Sequence, residues 1–287
     1  MLLRAFAKIN LDLRILGRRD DGYHEICTIF QAIEWWDEIQ LEPASGFEFS
    51  TSEGPQDETN LVVRAVRAYE RLAGVRANVR IRLTKNIPIG RGLGGGSSDA
   101  AATFIGLQRI YKRSLPQDEL PLVLRDLGSD VRFFTIGGRA VGRGRGDEVE
   151  ALLDELGYLL VIVDPGIVIS TNEAYSWLTV PSKSNTIEGF RPHSVRSCGT
   201  EPGDERNDFA VPVFKRYPVL ADIQKELLQS GAFRAALSGS GSAMFGQFKS
   251  ESAAMQAAST LANRFAVKVT KPLPGGEYFQ RMIEEFF

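Results

Sequence analysis

Apolar residues take alternate positions from Leu3 through Ala5, Ala7, Ile9, Leu11 and Leu13 to Ile15, the two-residue period of a strand with one buried face. The same period gathers Lys8, Asn10 and Asp12 on the other face, where a solvated strand surface and a polar site are both open readings. This strand is expected over residues 2–16, with further strand patterns near 24–33, 77–84, 158–164, 233–237 and 265–270. Helical spacing predicts helices near 60–73, 97–112, 117–127, 171–178, 219–230 and 250–263, with Gly74 as a C-cap and Ser170/Thr171 opening the fourth. Residues 181–206 are polar, with scattered proline, serine and glycine, and read as a surface loop. A boundary is expected near 150–157, ahead of the continuous apolar strand at 158–163, dividing the chain into lobes 1–155 and 156–287. No internal repeat is visible, and the order of elements predicts an α+β fold rather than a doubly wound sheet.

One stretch breaks both periods. Residues 88–102 read PIGRGLGGGSSDAAA, with glycine at 90, 92, 94, 95 and 96. Such a run gives up too much backbone freedom to serve as a helix or strand interior; its use is the close approach of bare N–H groups to an anion. Ser98, Asp99 and the alanines then open a helix, so orphan donors and the helix dipole both point at the loop. Gly96 is followed by Ser97-Ser98, not by the Lys-Ser/Thr pair of a Walker A loop. The GxGxxG match at 90–95 lies in no βαβ series, which argues against a dinucleotide fold, and no HRD or DFG motif supports a protein kinase. The flanking proline, serine pair and apolar helix argue against a flexible linker. A second glycine–serine turn at 238–242 reads either as a hairpin connection or as another wall of the same phosphate site.

Composition narrows the setting. At 287 residues and 43% hydrophobic, the chain has enough apolar material for two lobes. The net charge is −2 with both signs interspersed, so there is no electrostatic footprint for nucleic acid. No apolar run approaches the ~20 residues of a membrane span, and the N-terminus lacks a signal-peptide pattern. Cys27 and Cys198 are too few and too far apart for a metal site and suit a reduced, cytoplasmic setting, and two histidines (His24 and His193) argue against a histidine-built metal centre.

Three segments in order, Ala7-Lys8-Ile9-Asn10, residues 88–98 and residues 238–242, resemble the motifs of the GHMP-type small-molecule kinases, the family of galactokinase, homoserine kinase and mevalonate kinase. A narrower match is carried by Gly17-Arg18-Arg19-Asp20-Asp21-Gly22-Tyr23-His24-Glu25, by Gly128-Ser129-Asp130-Val131 and by Asn207-Asp208-Phe209. These resemble the branch that phosphorylates the 2-hydroxyl of a cytidine-diphosphate-linked methylerythritol in the non-mevalonate isoprenoid route. The resemblance implies an N-terminal ribosomal-protein-S5-like lobe and a C-terminal ferredoxin-like lobe, with ATP, Mg2+ and acceptor in the cleft between them. It also implies a cytoplasmic enzyme acting as a monomer or weak homodimer. Other acceptors of the family, homoserine or mevalonate, and a non-catalytic nucleotide-binding relative are the alternatives.

What the resemblance implies for individual residues is specific. Pro88, Gly90, Gly92, Leu93, Gly94, Gly95, Gly96, Ser97 and Ser98 would hold the ATP phosphates, with Asn60 and Lys85 touching the nucleotide and the Ser98 hydroxyl on or near magnesium. Lys85 also reads as a solvated strand-end lysine, and Asp99 as an acid favouring a helix N-terminus. Asp130 lies between a predicted amphipathic helix and the apolar pair Phe133-Phe134, which suits a tunable base or a turn aspartate; the resemblance makes it the base and Lys8 its charge partner. Tyr23 and His24 would meet the cytosine, Tyr175 would be the second wall of a cytosine sandwich, and Thr171, Asn10, Gly239 and Ser240 would contact the rest of the acceptor. Two departures stand out: Arg91 replaces the usual Ala or Gly of the loop, and Arg132 replaces a proline after Asp-Val, which would loosen the turn carrying Asp130.

Overall fold

The computed structural model describes residues 1–178 and 205–284; the surface loop expected at 181–206 lies outside the described residues apart from its last two. The chain runs β1 (Leu2–Arg18), β2 (His24–Pro43), β3 (Glu48–Thr51), α1 (Leu61–Ala73), β4 (Val79–Thr84), α2 (Gly95–Tyr111), α3 (Leu120–Leu127), α4 (Val131–Phe134), β5 (Arg139–Arg143) and β6 (Glu148–Ala151). It continues with β7 (Leu159–Asp164), α5 (Thr171–Ser176), α6 (Ala210–Arg216), α7 (Pro218–Gln229), β8 (Arg234–Leu237), β9 (Met244–Phe248), α8 (Glu251–Leu261), β10 (Ala266–Thr270), α9 (Gly275–Met282) and β11 (Ile283–Glu284). This is the expected two-lobe α+β architecture.

The first sheet is ordered β11-β1-β2-β4-β3, with β5 also paired to β2 and β6 to β5. Strand β2 pairs with β1 along one edge and is long enough to serve two partners on the other: residues 38–43 pair with β4 and residues 28–31 with β5. It runs ten residues past the expected end at 33 and takes in Trp35 and Trp36, because Ile39 and Leu41 continue the buried alternation. Helices α1 and α2 cover one face of this sheet and form the first apolar core with Phe6, Phe30 and Leu41. Asn60 caps α1 by accepting from the Val62 N–H, and Gly74 ends it in the left-handed conformation, as expected. The second sheet, β10-β7-β9-β8, is antiparallel throughout, with α7 and α8 packed on one face.

A third apolar cluster joins the two sheets, packing Ala7, Ile9 and Leu11 of β1 against Leu160, Ile162 and Phe245. The division expected at 155/156 is crossed by the chain end. Helix α9 buries Tyr278 and Met282 in the first core, and β11 pairs with β1. Among the described residues no helix is long and apolar enough to cross a membrane. One further expectation is corrected: Cys27 is disulfide-bonded, so the cysteines no longer argue for a reduced compartment.

Candidate active site

A cleft of about 920 Å³ opens between the lobes, floored by β1 and walled by the two glycine loops. Helix α2 starts at Gly95, two residues before its expected start, with left-handed Gly94 (φ 72°) as N-cap and no side-chain cap. The serine pair read as a cap therefore sits inside the helix. The first intrahelical bond runs from the Ser98 N–H to the Gly94 carbonyl at 2.9 Å, so the N–H groups of Gly95, Gly96 and Ser97 are orphans at the cleft wall. The first turn carries no acidic residue, which keeps this helix end receptive to an anion.

The second glycine loop closes on the first. The Ser238 hydroxyl donates to the Gly92 carbonyl at 2.9 Å, and the Ala243 N–H donates to the Arg91 carbonyl at 3.1 Å. Arg91 neither reaches into solvent nor adds a free cation: its Nε pairs with Asp164 at 2.7 Å, tying the loop to the end of β7. Asn207 fixes the second loop from behind, donating to the carbonyls of Leu237 and Gly239 at 2.9 and 2.8 Å. Its neighbours Arg206 and Asp208 exchange backbone hydrogen bonds with Leu13 of β1 at 2.8 and 3.0 Å.

At the cleft floor the Lys8 ammonium lies 3.3 Å from the Asp130 carboxylate, with the lysine side chain 4% and the acid 31% exposed. Lys8 is held from below by a relay. It donates to Asn10 Oδ1 at 2.6 Å, Asn10 donates to the Thr28 hydroxyl at 2.7 Å, and Thr28 donates to the Asp12 carbonyl at 2.6 Å. Asp130 precedes α4, whose Val131, Phe133 and Phe134 are buried and fix the turn. That turn is intact despite Arg132, with the Val131 N–H bonded to the Gly128 carbonyl at 3.0 Å and the Phe133 N–H to the Asp130 carbonyl at 3.1 Å. A half-open carboxylate against a buried ammonium, facing an anion-binding helix end, is equipped to take a proton from a hydroxyl and to neutralise developing charge.

Lys85 is not a solvated strand end. Its ammonium is buried between Asp99, at 2.7 Å, and Asp37. Burial opposes its charge, but the two carboxylates outweigh that and raise its pKa. Burial, reinforced by the nearby Asp37 charge, pushes the Asp99 carboxyl up to about 8 despite Lys85. Asp37 also accepts the backbone N–H groups of Asn86 and Ile87 at 2.5 and 2.8 Å, anchoring the approach to the phosphate loop.

The opposite end of the cleft is aromatic. After the Asp21-Gly22 turn, Tyr23 is half exposed, and the His24 ring stacks on Tyr175 with centroids 4.5 Å apart and planes at 17°. The sandwich expected of Tyr175 is thus already filled by His24, and a cytosine ring fits against Tyr175 only if the imidazole moves. Burial, and then the charge of Asp130, push the Tyr175 hydroxyl up to about 12. Burial and then Arg18 hold His24 below its usual 6.5, which favours the neutral ring. Thr171, one turn before Tyr175, lies 3.4 Å from the Ser240 hydroxyl.

All of the predicted site residues but one line this cleft. The exception is Ser98, which is wholly buried and does not line the cleft. Ser97 lines the cleft instead. Asn60 lines the cleft too, but its side chain is engaged at both ends, by Val62 and by the Pro55 carbonyl. Two residues that shape the site had no place in the sequence reading, Asp37 buried beneath the loop and Arg145 in the cleft beside Tyr23. Asp37 had a signal, since it shares the buried phase of Ile39 and Leu41; Arg145 had none.

A two-lobe fold with a glycine loop at a helix end, closed by a second glycine loop over a lysine–aspartate pair, is that of the GHMP kinases, which are ATP-dependent small-molecule kinases. Their N-terminal domain family matches residues 60–138 and their C-terminal family residues 194–267. The 4-diphosphocytidyl-2-C-methyl-D-erythritol kinase of Solibacter usitatus is 41% identical, covering 93% of this chain and 87% of the relative. That of Chlorobium phaeobacteroides is 40% identical over 94% and 96%. A crystal structure of 4-(cytidine 5'-diphospho)-2C-methyl-D-erythritol kinase superposes with a TM-score of 0.78 at 35% identity, covering 95% of this chain and 99% of the other. A homoserine kinase from Cytophaga hutchinsonii shares the fold alone, with a TM-score of 0.64 at 18% identity. The chain belongs to the 4-diphosphocytidyl-2-C-methyl-D-erythritol kinase family.

Proposed function

We propose that this kinase transfers the γ-phosphoryl group of ATP to the 2-hydroxyl of 4-diphosphocytidyl-2-C-methyl-D-erythritol, with Asp130 as the base and Lys8 as its charge partner. The observation that carries the proposal is the Lys8–Asp130 pair, 3.3 Å apart, between an anion-receptive helix end and an aromatic pocket. In this reading Asp130 accepts the hydroxyl proton as the oxygen attacks the γ-phosphorus. The bond from that phosphorus to the bridging oxygen breaks and ADP leaves. Lys8 stabilises charge on the acceptor oxygen and the transferring group. The loop N–H groups hold the nucleotide phosphates, and Thr171, Asn10, Gly239 and Ser240 line the path from the phosphates to Tyr23 and His24.

The donor set suits a magnesium ion carried in on the nucleotide. Among the described residues there is no cluster of three acidic, histidine or cysteine ligands, and Mg2+ is commonly held by one or two protein oxygens plus substrate phosphates. Ser97 is the hydroxyl to provide one: its Oγ is 3.5 Å from where a Cβ on Gly128 would stand, two residues before Asp130. When bound, the ion supplies neutralisation of phosphate charge.

The test is magnesium-dependent ADP release with the cytidylated acceptor, homoserine and mevalonate in parallel, with Asp130→Asn as control. Turnover only with the cytidylated acceptor, reduced about 10²–10⁴-fold in the variant, is the expected result. Turnover with another alcohol overturns the acceptor, and ATP binding without any turnover overturns the catalytic reading.

A further inference from the structure

Four lysines and arginines line the cleft, and three of them are paired. Lys8 faces Asp130 at 3.3 Å, Lys85 faces Asp99 at 2.7 Å together with Asp37, and Arg91 faces Asp164 at 2.7 Å. Arg145 is the exception. Among the described residues its side chain makes no ion pair and no hydrogen bond, and its Nε is buried without a partner. Its guanidinium rests on the Tyr23 ring, 3.2 Å from the centroid. Asp21, the carboxylate within electrostatic reach, is already paired with Arg19 at 3.1 Å.

The backbone that presents Arg145 is fixed. It occupies the turn between β5 and β6, flanked by Gly144 and Gly146 at φ +67° and +94°. The Gly144 carbonyl accepts from the Ile26 N–H at 2.8 Å, the Arg145 N–H donates to Asp147 at 3.0 Å, and the Gly146 N–H donates to the Arg143 carbonyl at 2.9 Å. The turn is thereby tied to the strand that begins at His24. Contacts lead from the phosphate loop to Gly239, to Ser240 and Thr171, to Tyr175 and His24, and then to Tyr23 and Arg145. Arg145 therefore belongs to the acceptor end, away from the helix end that receives ATP.

We propose that Arg145 is a specificity-determining residue whose guanidinium binds the diphosphate of the acceptor, separating a nucleoside-diphosphate conjugate from an unphosphorylated alcohol. The inference rests on the acceptor assigned above. A nucleoside diphosphate brings at least two negative charges into a cleft whose other cations are committed. A guanidinium is always charged and offers N–H donors in the fork that phosphate oxygens fit. Resting on Tyr23, it is already partly desolvated and oriented, so little ordering is left to the ligand.

The test reads binding, so it is independent of turnover. With the nucleotide site filled by a non-hydrolysable ATP analogue, calorimetry compares cytidine diphosphate and cytidine on the wild type, Arg145→Ala and Arg145→Lys. The wild type is expected to prefer the diphosphate. Arg145→Ala is expected to weaken it about 10- to 150-fold and to weaken cytidine by much less, and Arg145→Lys to recover part of the loss. Equal affinity of the wild type for both ligands, or an equal loss of both in Arg145→Ala, overturns the inference. Unchanged affinity for the ATP analogue verifies that the variants fold. Should the cytidylated acceptor prove not to be the substrate, ADP release reports that separately.

Discussion

Gly92→Ala tests whether the two glycine loops work as one unit. Gly92 sits at φ +76°, and a Cβ built there would lie 2.1 Å from the Ser238 carbonyl oxygen and 3.2 Å from the Gly241 nitrogen. Both neighbours are backbone, so no side chain can swing aside. The left-handed conformation costs an alanine about 1–2 kcal/mol, and overpacking a fixed wall adds about 1–3 kcal/mol. The expected loss is therefore about 2–5 kcal/mol, accompanied by opening of the Ser238–Gly92 hydrogen bond. Urea unfolding followed by tryptophan fluorescence measures the loss, and the dissociation constant of an ATP analogue measures displacement of the loop. Gly96→Ala is the control. That residue is helical, and its nearest neighbour is the Leu61 side chain at 3.4 Å, so the change is expected to be neutral or stabilising by up to ~1 kcal/mol. If Gly92→Ala unfolds at the wild-type urea concentration and binds the analogue equally well, the loops are not locked together and the reasoning fails.

Asp37→Ala should destabilise the protein mainly through the backbone. Asp99 still faces Lys85 at 2.7 Å without Asp37, so the cost is set by the orphaned Asn86 and Ile87 donors, about 2–6 kcal/mol. Asp37→Asn, which keeps an acceptor oxygen, should lose less than half of that in the same urea assay, and equal losses would refute the assignment. Proton NMR can follow His24 directly, since the chain has two histidines. His24 should titrate below 6.5, and Arg18→Gln should raise it only in part because burial is the larger cause. As pH falls through 6.5 the unfolded chain takes up that proton first, so the stability His24 contributes is present above 6.5 and is lost on the way down through the folded value. A folded pKa at or above 6.5 would contradict the buried stack on Tyr175.

The long strands were legible because burial on one face writes a period of two, and the capped helices because Asn60, Gly74 and Ser170 mark their ends. Of the short strands, β8 and β10 were expected, but β3, β5, β6, β9 and β11 were not. β5 and β9 are five residues each and are interrupted by Gly142 and Gly246, which read locally as turns. In the fold Gly246 is where Leu227 and Phe248 pack, 3.0 and 2.9 Å from an ideal Cβ, so tertiary packing rather than local preference chose glycine. The site divides along the same line. Lys8, Asp130 and both glycine loops carry chemistry in their own segments. The partners of Lys85 and Arg91 come from strands 48 and 73 residues away, Asp37 and Asp164, and no local pattern announces them.

The polar face of β1 shows why, of the two readings open for it, the polar site and not the solvated surface is the one realised. Lys8, Asn10, Asp12 and Arg14 are 3%, 3%, 0% and 8% exposed. A strand normally covers one face and wets the other, but here both faces are interior. The apolar face closes the seam between the sheets, and the polar face is roofed by Asp130 and the segment at 206–208. Unpaired, such a row would oppose folding by several kcal/mol per charge. It is tolerated because each member is answered: Lys8 by Asp130 and Asn10, Asn10 by Thr28, and Asp12 by Arg14 at 3.0 Å and by the Arg206 N–H at 2.8 Å. Burial still raises the Asp12 pKa against those partners, so the face is held at a cost. The same strand thus fixes the distance between lobes with one face and the position of the Lys8 ammonium with the other, which makes the geometry of the candidate site a consequence of how the two sheets pack.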